Sequence, residues 1–138
     1  MEGDLGLRIV LSSGKRKTAI ARAVIKPGKG RVWINGIPLE IYPNELFREK
    51  VMEPLLLAGD LRNQVDIRVR VSGGGVMGQA GAVRTAIARG LVEYFQSEEL
   101  KRIYIDYDRT LIAGDPRRTE PEKPMRYSAR RRWQKSYR

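Results

Sequence analysis

Neither cysteine nor histidine occurs anywhere in this 138-residue sequence. Without Cys there is no disulfide, no thiolate nucleophile and no thiolate metal ligand. Without His the chain lacks the commonest general base at neutral pH and the commonest transition-metal ligand. No resident metal or cofactor is expected. No apolar run reaches the ~18 residues of a membrane-spanning helix. The opening MEGDLGLRIV has no basic stretch leading into an apolar one, so no secretory signal is read there. A membrane-surface helix needs an apolar stripe among its cations, and the basic C-terminal region has none, so no membrane partner is expected. Chemistry through Asp, Glu, Lys or Ser remains open.

Positive charge is abundant. Twenty-seven Lys and Arg face 16 Asp and Glu, for a net charge of +11 and an isoelectric point near 10.3. Such an excess points to a polyanionic partner. With 41% apolar residues the chain still has material for one modest core. The charge is uneven: residues 114–138 hold 9 basic and 3 acidic groups, so this short end carries +6 of the total. Pro116, Pro121 and Pro124 punctuate it, and aliphatic side chains nearly vanish after Ile112. A segment of that kind buries too little apolar surface to offset its ordering entropy. Residues 1–112 are therefore read as a globular body and 113–138 as an extended basic tail that orders on a partner.

Within the body, Leu7–Leu11 and Thr18–Lys26 are read as strands, with Ser12-Ser13-Gly14 as the turn between them. Pro27-Gly28-Lys29-Gly30 marks a turn, Arg31–Ile34 a third strand, and Asn35-Gly36 a tight hairpin turn. Asn44 is placed to cap a helix with Glu45 in its first turn, and Pro54 should end or kink it. Val65, Ile67, Val69 and Val71 alternate with Asp66, Arg68 and Arg70, the pattern of a strand with one wet face. Ala80, Val83, Ile87, Leu91 and Tyr94 form the stripe of a long helix ending near Gln96. Ser97 caps a further segment. There Leu100, Ile103, Tyr107 and Leu111 favour a helix, while Ile103, Ile105 and Tyr107 suit a strand equally. These elements predict an α+β fold: a mostly antiparallel four-stranded sheet with helices on one face.

Gly73-Gly74-Gly75-Val76-Met77-Gly78 fits the G-x-G-x-x-G pattern of dinucleotide sites. The preceding strand alternates, whereas a doubly wound strand is apolar throughout. The body is also short for such a fold, and no ribose-binding acid follows at the expected spacing. A sharp strand-to-helix turn, or amides of Gly74 and Gly75 facing a nucleic-acid phosphate at a helix start, are the better readings. Gly14-Lys15-Arg16-Lys17-Thr18 has P-loop flavour but fails twice: position 9 is Ile, and Arg16 stands where Ser or Thr is required. Three adjacent cations at a turn suit phosphate. The tail interleaves Arg117, Arg118, Lys123, Arg126, Arg130, Arg131, Arg132, Lys135 and Arg138 with Tyr127, Trp133 and Tyr137. Guanidinium groups grip phosphates bidentately, and rings stack on unpaired bases. Asp106, Asp108 and Asp115 read as surface acids or partners of Arg109 and Arg117 rather than as catalytic groups.

In order along the chain, GKRKTA from Gly14, SGGGVMGQAGAVRTAIARGL from Ser72, DPRR from Asp115 and ARRRWQKSYR from Ala129 resemble the family of the ninth universal small-subunit ribosomal protein. The DPRR segment and the QKSYR ending look like its archaeal–eukaryotic branch, and the short N-terminus favours the archaeal side. The resemblance implies a structural, non-enzymatic protein in the cytoplasmic ribosome. Its partners would be small-subunit ribosomal RNA in the subunit head and neighbouring ribosomal proteins. The RNA-facing set would be Lys15, Arg16, Lys17, Arg68, Arg70, Gly74, Gly75 and Arg84, with tail residues Arg117 to Arg132. The tail tip, Lys135, Ser136, Tyr137 and Arg138, would reach the peptidyl-site transfer RNA. Tyr137 stands where bacterial members carry Lys. The resemblance also implies a left-handed β-α-β crossover. Two rivals use the same residues: a small nucleotide-binding enzyme built on the Gly73–Gly78 loop, and a nucleic-acid chaperone without a fixed site.

Overall fold

The computed structural model describes residues 8–113. Five strands, β1 (Val10–Arg16), β2 (Ala19–Pro27), β3 (Val32–Ile34), β4 (Ile37–Pro38) and β5 (Val65–Ser72), form one sheet in the order β1-β2-β5-β3-β4. All pairings are antiparallel except β3 with β5, which run parallel. The connection from β3 to β5 passes through β4 and helix α1 (Glu45–Ala58). Three helices follow: α2 (Val76–Phe95), α3 (Glu98–Tyr107) and the single turn α4 (Thr110–Ala113). None among the described residues is long and apolar enough to cross a membrane.

The class is as expected, but the sheet has five strands, not four. Asn35 and Gly36 both have positive φ, 53° and 84°, the backbone of the tight turn that their pair favours. The turn leads into β4, which is too short to show any periodicity. The Asn35 amide then acts as an extra peptide unit: its Oδ1 accepts from Val71 N at 2.9 Å, and its Nδ2 donates to Val71 O at 3.1 Å.

The first hairpin also differs. Ser12, Ser13 and Gly14 lie inside β1, and the turn is Lys17-Thr18, because Arg16 pairs with Ala19. What keeps Gly14 in the strand is a neighbour distant in sequence. A Cβ on Gly14 would overlap the Ala82 carbonyl and come within 2.7 Å of the Ala86 amide, so β1 lies flush on α2. Ser12 Oγ adds a hydrogen bond to Ala86 O at 2.7 Å.

Buried residues alternate along β2 and β5: Ala21, Ala23 and Ile25 oppose Val71, Val69 and Ile67 under the helices, with Ala19 and Val65 buried at the two ends. The α2 stripe of Ala80, Val83, Ile87, Leu91 and Tyr94 is buried as expected. So are Phe47, Val51 and Leu55 of α1. The caps hold: Asn44 Oδ1 accepts from Phe47 N at 2.9 Å and Ser97 Oγ from Leu100 N at 3.0 Å. The segment after Ser97 is helical, which leaves Ile103, Ile105 and Tyr107 exposed. Pro54 does not end α1, which runs on to Ala58. Pro54 is buried, and its carbonyl accepts from the Tyr104 hydroxyl at 2.8 Å, tying α1 to α3. Burial pushes that hydroxyl's pKa well up.

Asp66 breaks the alternation, being only 3% exposed on the wet side of β5. Its carboxylate accepts from Lys29 N at 2.9 Å and Arg31 N at 3.1 Å, and pairs with the Arg31 guanidinium at 2.8 Å. It clamps the loop between β2 and β3. A Cβ on Gly28 would overlap this carboxylate, which is why that turn needs glycine. Burial alone would raise the Asp66 pKa, but the hydrogen bonds from Arg31 and the loop amides outweigh it and hold the group below the ordinary carboxylate range. A depressed folded pKa gives stability that is present above the unfolded value and lost as pH falls through the folded one. Asp66→Asn should therefore melt below the parent at neutral pH. The gap in Tm should narrow as pH drops from about 5 to about 2. A gap that is constant with pH would show that the charge does not hold the loop.

A candidate nucleic-acid interface

Two motifs far apart in sequence meet at one end of the sheet. The Lys17-Thr18 turn sits against the glycine loop that follows β5, and Arg16, Lys17, Thr18, Gly74, Gly75, Met77 and Gly78 line one cleft of about 370 Å³. The glycines are needed for this approach. Gly73 and Gly74 have φ of 83° and 68°, and a Cβ on Gly73 would strike the Thr18 carbonyl. Lys17 itself has φ 56°, a left-handed conformation uncommon for a residue with a Cβ. The cleft opens on the start of the 20-residue α2, where Gly75 is the N-cap, no side chain among the described residues caps the helix, and its first turn has no acid. Uncapped amides, the positive end of the helix dipole and adjacent cations together suit an anion. Among the described residues no carboxylate cluster suits a metal ion.

The second basic surface is the sheet face that the helices leave uncovered. Lys15, Arg22, Arg68 and Arg70 are exposed there. In register, Arg22 lies directly opposite Arg70, and Val24 opposite Arg68. Like charges in direct cross-strand apposition oppose folding unless an anion lies between them. Trp33 pairs with Arg68 across β3 and β5, and the Arg68 guanidinium sits 4.3 Å from the centre of its ring. Arg22 and Trp33 were not singled out in the sequence. Each becomes visible only once the strand register is known.

Lys15, Arg16 and Lys17 thus lie on the hairpin, Gly74 and Gly75 beside it, and Arg68 and Arg70 on the open face. Arg84 is different. It is only 6% exposed, its Nε donates to Glu53 at 2.9 Å, and its terminal nitrogen lies 3.2 Å from Asp108. Packing between α1 and α2 buries it, so it cannot face RNA as the sequence suggested. Asp108 correspondingly pairs with Arg84 and accepts from Thr110 N at 3.0 Å at the start of α4. Hydrogen bonds from Thr110 and Arg84 overcome the raising effect of burial and hold its pKa down. Arg117, Arg118, Lys123, Arg126, Arg130, Arg131, Arg132, Lys135, Ser136, Tyr137 and Arg138 lie outside the described residues.

A family model described as ribosomal protein S9/S16 matches residues 14–138. The chain belongs to this family of ribosomal proteins. It is 67% identical over 147 aligned positions to the small ribosomal subunit protein uS9 of Aeropyrum pernix, covering 95% of this chain and 97% of that one. It is also 67% identical to the uS9 of Desulfurococcus amylolyticus, covering 96% and 94%. To that of Saccharolobus solfataricus it is 58% identical, covering 95% and 96%. Membership makes the chain a structural, non-enzymatic constituent of the small ribosomal subunit, at work in the cytoplasmic ribosome. In the S9/S16 family the Gly73–Gly78 loop belongs to a ribosomal protein, and the dinucleotide-enzyme reading falls with it.

Proposed function

We propose that the body binds ribosomal RNA of the subunit head through the hairpin–glycine cleft and the open sheet face, and that the tail extends the contact. The observation that carries this reading is the convergence of the Arg16–Thr18 turn with Gly74 and Gly75 in one uncapped, cationic cleft. The mechanism is phosphate neutralisation with counterion release, which lets RNA strands approach the protein and one another. The body is assigned residues 1–112 and the RNA-ordered tail 113–138. The tail's Arg117, Arg118, Lys123, Arg126 and Arg130 to Arg132 add phosphate contacts. Its tip, Lys135 to Arg138, reaches the peptidyl-site transfer RNA. Family membership also supports a left-handed sense for the β3–α1–β5 connection.

Salt dependence tests the cleft. Each phosphate contact adds about 0.7 to 0.9 to the slope of log K against log salt. Replacing Lys15, Arg16 and Lys17 by Ala should therefore lower that slope by roughly two to three units for a ribosomal RNA fragment. An unchanged slope would leave the turn merely solvated. The tip is tested separately by deleting Lys135 to Arg138. The truncated protein should still enter the small subunit, because the Arg130–Arg132 cluster is kept. Transfer RNA binding to those subunits should weaken by no more than about 1–3 kcal/mol per lost charged hydrogen bond. Filter binding with unaltered affinity would reduce the tail to an RNA anchor.

A further inference from the structure

One surface runs against the charge of the rest of the molecule. Residues 39–60 contain Glu40, Glu45, Glu49, Glu53 and Asp60 against only Arg48 and Lys50, so five of the 16 acids fall in this stretch. The segment forms one wall of a groove of about 630 Å³ beside α1. Val32, Leu39, Met52 and Leu56 supply its apolar lining, Glu40, Glu45 and Glu49 its acids, and Arg48 and Arg62 its cations. Leu56 is 66% exposed, and Ile41 and Leu46 nearby are exposed to a similar degree. Arg48, also at the groove, is turned inward to donate to the Tyr42 carbonyl. Three carboxylates outnumber the two arginines, and Arg48 is already engaged by the Tyr42 carbonyl, so the groove is net acidic and disfavours phosphate. An uncovered aliphatic trough rimmed by acid fits a peptide that carries the opposite pattern.

We propose that this groove docks a segment of a neighbouring small-subunit protein in which an aliphatic side chain is flanked by Lys or Arg. The aliphatic group would fill the Leu39–Met52–Leu56 trough, and the cations would meet Glu40, Glu45 and Glu49. The volume suits a few side chains rather than a whole domain face. Charge complementarity selects such a peptide over RNA and over a second copy of this chain, whose groove carries the same acids. The proposal rests on the reading that the chain works inside the small subunit. It gives the molecule two sides, a basic one for RNA and an acidic, apolar one for protein.

The test uses assembled small subunits in which a benzophenone amino acid replaces Leu56 or, separately, Lys17. Irradiation at position 56 should link the chain to one other subunit protein, at a peptide with an aliphatic residue beside two or more cations. A link to RNA, to a second copy, or to nothing overturns the proposal. Position 17 should link to RNA. Failure there counts against the RNA reading alone and leaves the result at position 56 standing. Glu45→Lys combined with Glu49→Lys gives an independent measure, because both side chains are exposed and the fold should survive. The linked neighbour's occupancy in purified subunits should fall by about fivefold or more, while the free chain's affinity for RNA does not fall. Unchanged occupancy overturns the proposal.

Discussion

Gly14→Ala should cost the protein at least ~3 kcal/mol, the top of the range for overpacking, because the obstacle is backbone rather than a side chain that can turn away. For a domain of this size that is a fall in Tm of roughly 12–24 °C. The added methyl would overlap the Ala82 carbonyl and lie 2.7 Å from Ala86 N and 3.1 Å from Thr85 Cβ. To admit it, β1 must lift off α2. Because β1 ends at Arg16, the lift would also draw the Lys17-Thr18 turn away from Gly74 and Gly75, and RNA affinity should fall with stability. The same chemical change at Gly81 should do the opposite. A Cβ there meets only the Arg16 side chain, at 3.6 Å, an ordinary contact. Gly81 lies in the interior of α2, where Ala is favoured by roughly 0.5–1 kcal/mol. Thermal melts of the two variants decide the matter. If both shifted alike, the flush packing of β1 on α2 would be wrong.

What could be read from the chain was what neighbours in sequence determine. The alternation of β5, the stripe of α2, the Asn44 and Ser97 caps and the Asn35-Gly36 turn all depend on residues within a few positions of one another. The hairpin near the N-terminus departs from its local composition for the complementary reason. Ser12-Ser13-Gly14 has turn composition, yet Gly14 is required by Ala82 and Ala86, and no local pattern records that contact. Pro54, by its chemistry a residue that ends or kinks a helix, does not end α1: burial of its ring and the Tyr104 hydrogen bond to its carbonyl offset the lost amide. The candidate site divides along the same line. Its cations and glycines were visible as two separate motifs, but their meeting in one cleft depends on strand order. The opposition of Arg22 to Arg70 depends on register. The acidic, apolar groove is not legible in the composition, because the net charge of the whole chain conceals a stretch of opposite sign.

Arg84 gives the second large effect, and it separates charge that folds the protein from charge on the proposed RNA surface. Arg84→Met keeps most of the side-chain stem and removes the guanidinium. Glu53 and Asp108 would then sit at the junction of α1, α2 and α4 without their shared cation, which lies 2.6 Å from Glu53 and 3.2 Å from Asp108. Breaking a fully buried pair costs about 3–5 kcal/mol. Glu53 and Asp108 keep partial access to water, so the loss should be smaller, about 2–3 kcal/mol. It should also shrink in acid. The Asp108 pKa is depressed in the folded protein, so the stability that its charge contributes is present above the ordinary carboxylate range and disappears as pH falls through the folded value. Once Asp108 is protonated, the part of the loss that its charge carries disappears. The salt slope for ribosomal RNA should be unchanged, because a side chain this deeply buried releases no counterion from a phosphate. Arg68→Met, on the open face of β5, should do the reverse: near-parental stability and a slope lower by about one unit. Urea unfolding and salt-dependent RNA binding on both variants distinguish the two kinds of arginine. An Arg84→Met protein of parental stability with a reduced slope would return Arg84 to the RNA surface and show the packing of α1 against α2 to be wrong.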